Sequence, residues 1–187
     1  MATTVENFDA MRIRNASIQP KVGEVTKFGC LGSIEGETEM REITKKCEGT
    51  VIKSKSFPIK HTLTLSGYVP VKVYRDIFGL KNDELAVGVY SYSTTSAGAT
   101  FTLTADVVDD FDNVTKLVAF PNVSSATGLK FTIDNDADEV AYVELEFTAM
   151  PDAQRNFYYE AFATEVTEPI KTGWHTKFNY ELVKKTL

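Results

Sequence analysis

Five stretches of the chain alternate apolar and polar residues at a period of two, a pattern that a helix cannot use. Ile59, His61, Leu63 and Leu65 would share one face of a strand, with Lys60, Thr62, Thr64 and Ser66 on the other. The alternation recurs at Phe101, Leu103, Ala105 and Val107, and again at Ala141, Val143, Leu145, Phe147 and Ala149. Further stretches run through Phe157, Tyr159, Ala161 and Ala163, and through Trp174, Thr176, Phe178, Tyr180 and Leu182. Shorter β-rich pieces cover residues 12–18, 87–92, 116–120 and 130–133. Turn residues separate them at 96–98, 110–113, 124–128, 134–138 and 150–152. Eight or nine short strands joined by tight turns predict a mainly β fold, an antiparallel β-sandwich or barrel. A length of 187 residues fits one domain spanning 1–187.

Two segments depart from this pattern. From Pro70 to Gly79, proline stands where a first helical turn tolerates it and glycine where a helix stops, and Val73, Tyr74, Ile77 and Phe78 share a face. A single short helix flanking the β-structure is expected. Residues of about 25–57 are rich in charge, Gly and Thr and poor in large apolar side chains. Arms at 39–44 and 50–55 around Lys45-Lys46-Cys47-Glu48-Gly49 read as a long projecting hairpin with Gly49 at or near its turn. Arms of about 12 residues at ~3.3 Å per residue would reach roughly 40 Å, beyond the ~16 Å radius of gyration expected for this length. An isolated ribbon is marginal in water, so a neighbouring subunit is expected to cover it.

The charge distribution points the same way. The formal net charge is −6, but residues 1–80 carry +3 and 81–187 carry −9, with +4 within 41–60 and −8 within 106–146. A basic ribbon and an acidic remainder are complementary between copies and favour head-to-tail contacts. The acidic balance argues against general affinity for nucleic acid phosphates. No run reaches the ~18 apolar residues of a membrane span, and the polar, acidic start is not expected to be an export leader.

Catalytic and metal signatures are missing. There is no GxSxG, Walker A, HExxH or GxGxxG pattern, and neither His61 nor His175 has a nucleophile or metal partner in its sequence context. His61 is expected in a core or interface, and His175 on the polar face of a strand. Cys30 and Cys47 form no CxxC and are expected to be reduced thiols. The run from Asp134 to Glu139 resembles the start of a calcium loop but has Glu139 in the glycine place and Leu145 in the place of the bidentate glutamate. It is read as an acidic hairpin tip. An enzyme is not expected, and no cofactor is implied.

Taken in order, the opening strand at 11–18, the charged hairpin through 39–55, the strand Ile59-Lys-His-Thr-Leu-Thr-Leu-Ser-Gly and the helix from Pro70 to Gly79 resemble the major tail protein, or tail tube subunit, of long-tailed bacteriophages. The likeness covers about residues 10–80, with a looser fit to the acidic strands beyond. It implies a β-sandwich or barrel that closes into hexameric rings, and rings that stack into a hollow tube in the virion tail after assembly in the host cytoplasm. The partners implied are further copies, other tail proteins, and DNA that passes without specific binding; no membrane is involved. Arg41, Lys45, Lys46, Lys53 and Lys55 are then expected at inter-subunit contacts, with the N-terminal arm 1–11 and the end 184–187. Glu144 and Glu146 are expected to line the lumen, where carboxylates repel passing phosphates. The alternative is a non-catalytic β-sandwich module that binds carbohydrate or protein through an aromatic face, with Trp174 as the test residue.

Overall fold

A computed structural model of the chain describes residues 5–185 except 22, 132, 134–139 and 141. The fold is mainly β, as the alternation predicts. Its strands are β1 (Arg12–Pro20), β2 (Thr26–Lys27), β3 (Cys30–Cys47), β4 (Thr50–Tyr68), β5 (Phe101–Asp109), β6 (Val114–Ser125), β7 (Val143–Ala149) and β8 (Tyr159–Phe162). They form one antiparallel sheet in the order β2-β1-β5-β6-β7-β4-β3, with β8 added against the first half of β6. The sheet curls until β1 and β3 face each other across a groove of about 430 Å³ lined by residues 10–13 and 31–34 and by Val107. The curl encloses one main core, to which Ile18, Leu63, Leu65, Phe101, Leu103, Leu145 and Phe147 each contribute a buried side chain.

Helix α1 (Val71–Phe78) forms where the sequence places it. Pro70 precedes its first turn and Gly79 closes it in the left-handed conformation (φ 65°), where Tyr74 and Phe78 also meet edge to face. Val73, Ile77 and Phe78 are inserted into the main core. At Gly79 a Cβ would lie 2.2 Å from the Ala97 carbonyl oxygen, so only glycine fits both the backbone angle and the space.

Helix α1 is not alone, because the stretch expected as a final strand is helical instead. Residues 174–182 belong to α2 (Glu168–Trp174) and α3 (Tyr180–Val183) and the turn between them. Pro169 in the first turn of α2, and the Asn179 side chain accepting from the Leu182 N–H (3.0 Å), set helix starts that outweigh a coincidental alternation. These helices cover the outer face of β6 and β8, where Leu117, Ala119, Trp174 and Phe178 make a second core. The Trp174 indole N–H donates to the Val118 carbonyl (3.0 Å), and the Gln19 amide spans Trp174 O (2.9 Å) and Phe178 N (2.7 Å). β6 is therefore buried on both faces from Leu117 to Phe120, which explains an unbroken apolar run there.

Two shorter expectations also fail. Residues 87–92 form no strand: they lie in the long connection after α1, which carries a single bridge between Lys81 and Ser91 and turns at Gly88 (φ 86°). Lys130, Phe131 and Ile133 are likewise outside any strand, and the acidic tip at 134–139 lies outside the described residues. In both segments β-prone residues lack a neighbouring strand to pair with.

The described part of the N-terminal arm lies along its own body. The Val5 N–H donates to Glu165 Oε1 (3.0 Å), Phe8 meets Phe162 edge to face with centroids 5.4 Å apart, and the Asp9 N–H donates to Asp109 Oδ2 (3.0 Å). The Asp9 N–H, with those of Phe111 and Asp112, holds the Asp109 carboxyl below the usual carboxylate range. The stabilisation from a depressed pKa is full above the unfolded-state value and is lost as pH falls through the folded-state one. Asp109→Asn is expected to flatten the acid limb of the stability curve, read as urea midpoints from about pH 7 down to about 3, and to speed protease cleavage within residues 5–11. Separately, Trp174→Ala is expected to lower the unfolding free energy by about 3–5 kcal/mol, measured by urea titration.

Candidate assembly surface

β3 and β4 stay paired from Cys30 opposite Tyr68 to Cys47 opposite Thr50, closing on a two-residue turn with both central residues at positive φ (Glu48 49°, Gly49 82°). β7 joins β4 only from His61 to Gly67. Beyond that junction the two strands continue as a free ribbon, and every residue from Glu35 to Ile59 is exposed. At ~3.3 Å per residue the free part extends roughly 30 Å, shorter than expected because the inner half of each long strand belongs to the sheet. Met40, Ile43, Val51, Ile52, Phe57 and Ile59 are all exposed on this ribbon.

Register sorts the predicted contact residues. Arg41 lies opposite Phe57, Ile43 opposite Lys55 and Lys45 opposite Lys53, so Arg41, Lys45, Lys53 and Lys55 share one face with Ile43 and Phe57. Lys55 lies over the Phe57 ring, 4.8 Å from its centre. The opposite face carries Glu42, Thr44, Ser54 and Ser56, where Ser54 donates to Glu42. Lys46 does not join the basic face: it lies opposite Val51, across an irregularity in the register.

Glu144 and Glu146 lie on the outer face of β7, opposite Ser66 and Thr64 of β4. Their row continues onto β3, because Thr64 also faces Glu35 and Thr62 faces Glu37. Glu35, Glu37, Glu144 and Glu146 therefore flank a central line of Thr62, Thr64 and Ser66 on one solvent-facing sheet surface. Lys130 approaches Glu144 (3.8 Å) and Glu146 (4.0 Å), and Lys60 pairs with Glu39 (2.9 Å). Sequence reasoning missed Glu35 and Glu37, although their i, i+2 spacing with Glu39 is the signal that places all three on one face.

His61 lies on the apolar face of β4 with Leu63 and Leu65, as the alternation predicts, whereas His175 is on no strand. His61 is half-buried at the base of the ribbon, stacked on Phe120, with its Nδ1 2.7 Å from the Thr38 hydroxyl; burial holds its pKa below the usual value. His175 follows α2 and does have a partner, with Nε2 2.8 Å from Asp106 Oδ1 and Nδ1 3.0 Å from the Thr104 hydroxyl. Asn15 donates to the other Asp106 oxygen (3.2 Å). Hydroxyl, imidazole and carboxylate are thus aligned, but Thr104 is fully buried and offers no surface to a substrate. The group fastens the C-terminal helices to β1 and β5. Trp174, expected at a binding face, is 1% exposed and supports the second core instead.

Among the described residues no three His, Cys, Asp or Glu side chains are grouped to hold a metal ion. Cys30 and Cys47 stand at the two ends of β3, roughly 55 Å apart at strand rise, so one copy cannot join them in a disulfide. No protein-family model matches the chain, and no curated protein matches it significantly. Shortening the ribbon is expected to leave the body intact: deleting residues 42–53 should preserve the far-ultraviolet circular dichroism per body residue and the cooperative unfolding transition.

Proposed function

We propose that this chain is a structural subunit that assembles with copies of itself into stacked hexameric rings, forming the tail tube of a long-tailed bacteriophage. The observation that carries the reading is the ribbon: a two-stranded projection exposed from Glu35 to Ile59, bearing six large apolar side chains and a basic face that its own body does not cover. A ribbon of this kind is marginal alone and gains stability when a second chain satisfies its faces and edges. The family resemblance of residues 10–80 supplies the architecture, and the acidic face of β3, β4 and β7 supplies the wall. Glu144 and Glu146, with Glu35 and Glu37, line the lumen in this reading, so that phosphates of DNA in transit are repelled. The other partners are further tail proteins, and the site of action is the virion tail.

Negative-stain microscopy of the concentrated protein is expected to show rings or hollow tubes. A monomer by light scattering at every concentration would overturn the reading. Glu144→Lys with Glu146→Lys is expected to give tubes that retain DNA at low salt and release it as salt rises, read by co-sedimentation, whereas unaltered tubes leave DNA in the supernatant.

A further inference from the structure

The geometry points to a proton-sensitive hinge at the root of the ribbon: the ribbon bends against the body at the Pro58–Ile59 bulge, and the neutral His61 ring is the pin that holds its direction. The hinge belongs to a single copy and is independent of the self-assembly reading above.

Three weaknesses of the β3–β4 ladder coincide there. β7 pairs with β4 no further than Ala149 opposite His61, so support from a third strand ends at that pair. Immediately beyond, Glu39 faces Lys60 while Met40 faces Pro58, which leaves Ile59 as an extra residue in β4. Such a bulge interrupts the ladder and bends the strand that carries it. Pro58 widens the gap, because it has no N–H to donate.

His61 bridges this junction. Its ring lies on the core face of β4, stacks on Phe120 of β6 (centroids 5.7 Å apart, planes at 21°) and places Nδ1 2.7 Å from the Thr38 hydroxyl of β3. Gly36 makes the space, since a Cβ there would lie 2.6 Å from His61 Nε2. In the sheet order β6 is a neighbour of neither β3 nor β4. One side chain therefore ties the last supported pair of ribbon strands to a strand they do not touch through the ladder.

An imidazolium in this place has no counter-charge. The ring meets Gly36 and Thr38 from β3, Ala149 from β7 and Phe120 from β6, all neutral. Tyr158 packs against Phe120 (5.1 Å) and donates to Glu160 (2.8 Å), which pairs with Lys116 (3.4 Å). Burial, aided by Glu160, raises the Tyr158 pKa, so that phenol stays neutral. Glu39 and Lys60 pair with each other on the opposite face (2.9 Å). Among the described residues no carboxylate pairs with His61. A charged ring here loses water without gaining a partner, and burial accordingly holds its pKa below the usual value. In a swung-out ribbon the ring is hydrated and titrates at its ordinary value of about 6.5. Protonation therefore favours the released state as pH falls from that value toward the pinned one.

The native cysteines report the hinge directly. Cys30 and Cys47 are free and exposed at the two ends of β3, roughly 55 Å apart at strand rise, with the hinge between them. Nitroxide labels on both, in protein diluted with unlabelled chain so that distances between copies drop out, are read by double electron–electron resonance. A narrow distance distribution is expected at about pH 7.5, and a broader one with a shorter mean at about pH 5. His61→Phe keeps a stacked ring without a titrating group and is expected to stay narrow at both pH values. His61→Gln keeps a polar group without the stack and is expected to be broad at both, with circular dichroism unchanged. In a proton magnetic resonance titration, the signal that His61→Phe removes is expected to shift below about pH 6.5. A distribution that does not change with pH, or that broadens as much in His61→Phe, overturns the hinge. A His61 signal that titrates at or above about pH 6.5 overturns the pin. None of these readings needs a polymer, so a protein that forms no tube leaves them standing.

Discussion

Main-chain pairing between β3 and β4 governs this molecule. The two longest strands satisfy each other from the sheet to the Glu48-Gly49 turn, yet β7 stops pairing at His61. What lies beyond has two faces and two edges that no other described strand covers, and its ladder hydrogen bonds are made to one neighbour per strand. Such a ribbon persists because the inner half of each strand is anchored in the sheet, with Leu63 and Leu65 buried in the main core. The register of its two strands puts Arg41, Lys45, Lys53 and Lys55 in one row.

The remainder of the chain supplies that anchor. The main core lies inside the curl of the sheet and is plugged by Val73, Ile77 and Phe78 of α1. The second core lies on the outside of β6, where α2 and α3 are fixed by Trp174, Gln19 and the His175–Asp106 contact. Helices therefore cover the β6 side, while among the described residues no helix lies on the outer faces of β3, β4 and β7. The acidic row and the basic row belong to this uncovered side. A surface that a domain leaves open next to a projecting ribbon is available for other copies, which unites the fold with the proposed role.

Several elements were legible because their signals are local. Proline before and glycine after α1 act within one turn, and the hairpin turn needs only Glu48-Gly49 between two β-rich arms. Strands β4, β5 and β7 announced themselves through alternation because one face of each meets the main core. The stretch from Trp174 to Leu182 misled because its alternation comes from a turn between two helices too short to show a helical period. The pairing of His175 with Asp106 was invisible for a different reason: the two residues are 69 apart in the chain and meet only when α2 is laid over β5.

The same division holds for the candidate surface. Residue order alone determined that the middle of the first half would project, that it would be basic, and that Glu144 and Glu146 would share a strand face, since these follow from composition and a period of two. Only the tertiary structure decided that Lys53 and Lys55 share a face with Arg41 and Lys45, that Glu35 and Glu37 join Glu144 and Glu146, and that Trp174 is buried. Those outcomes depend on register and on which strands become neighbours, and neither is fixed until the sheet closes around its core.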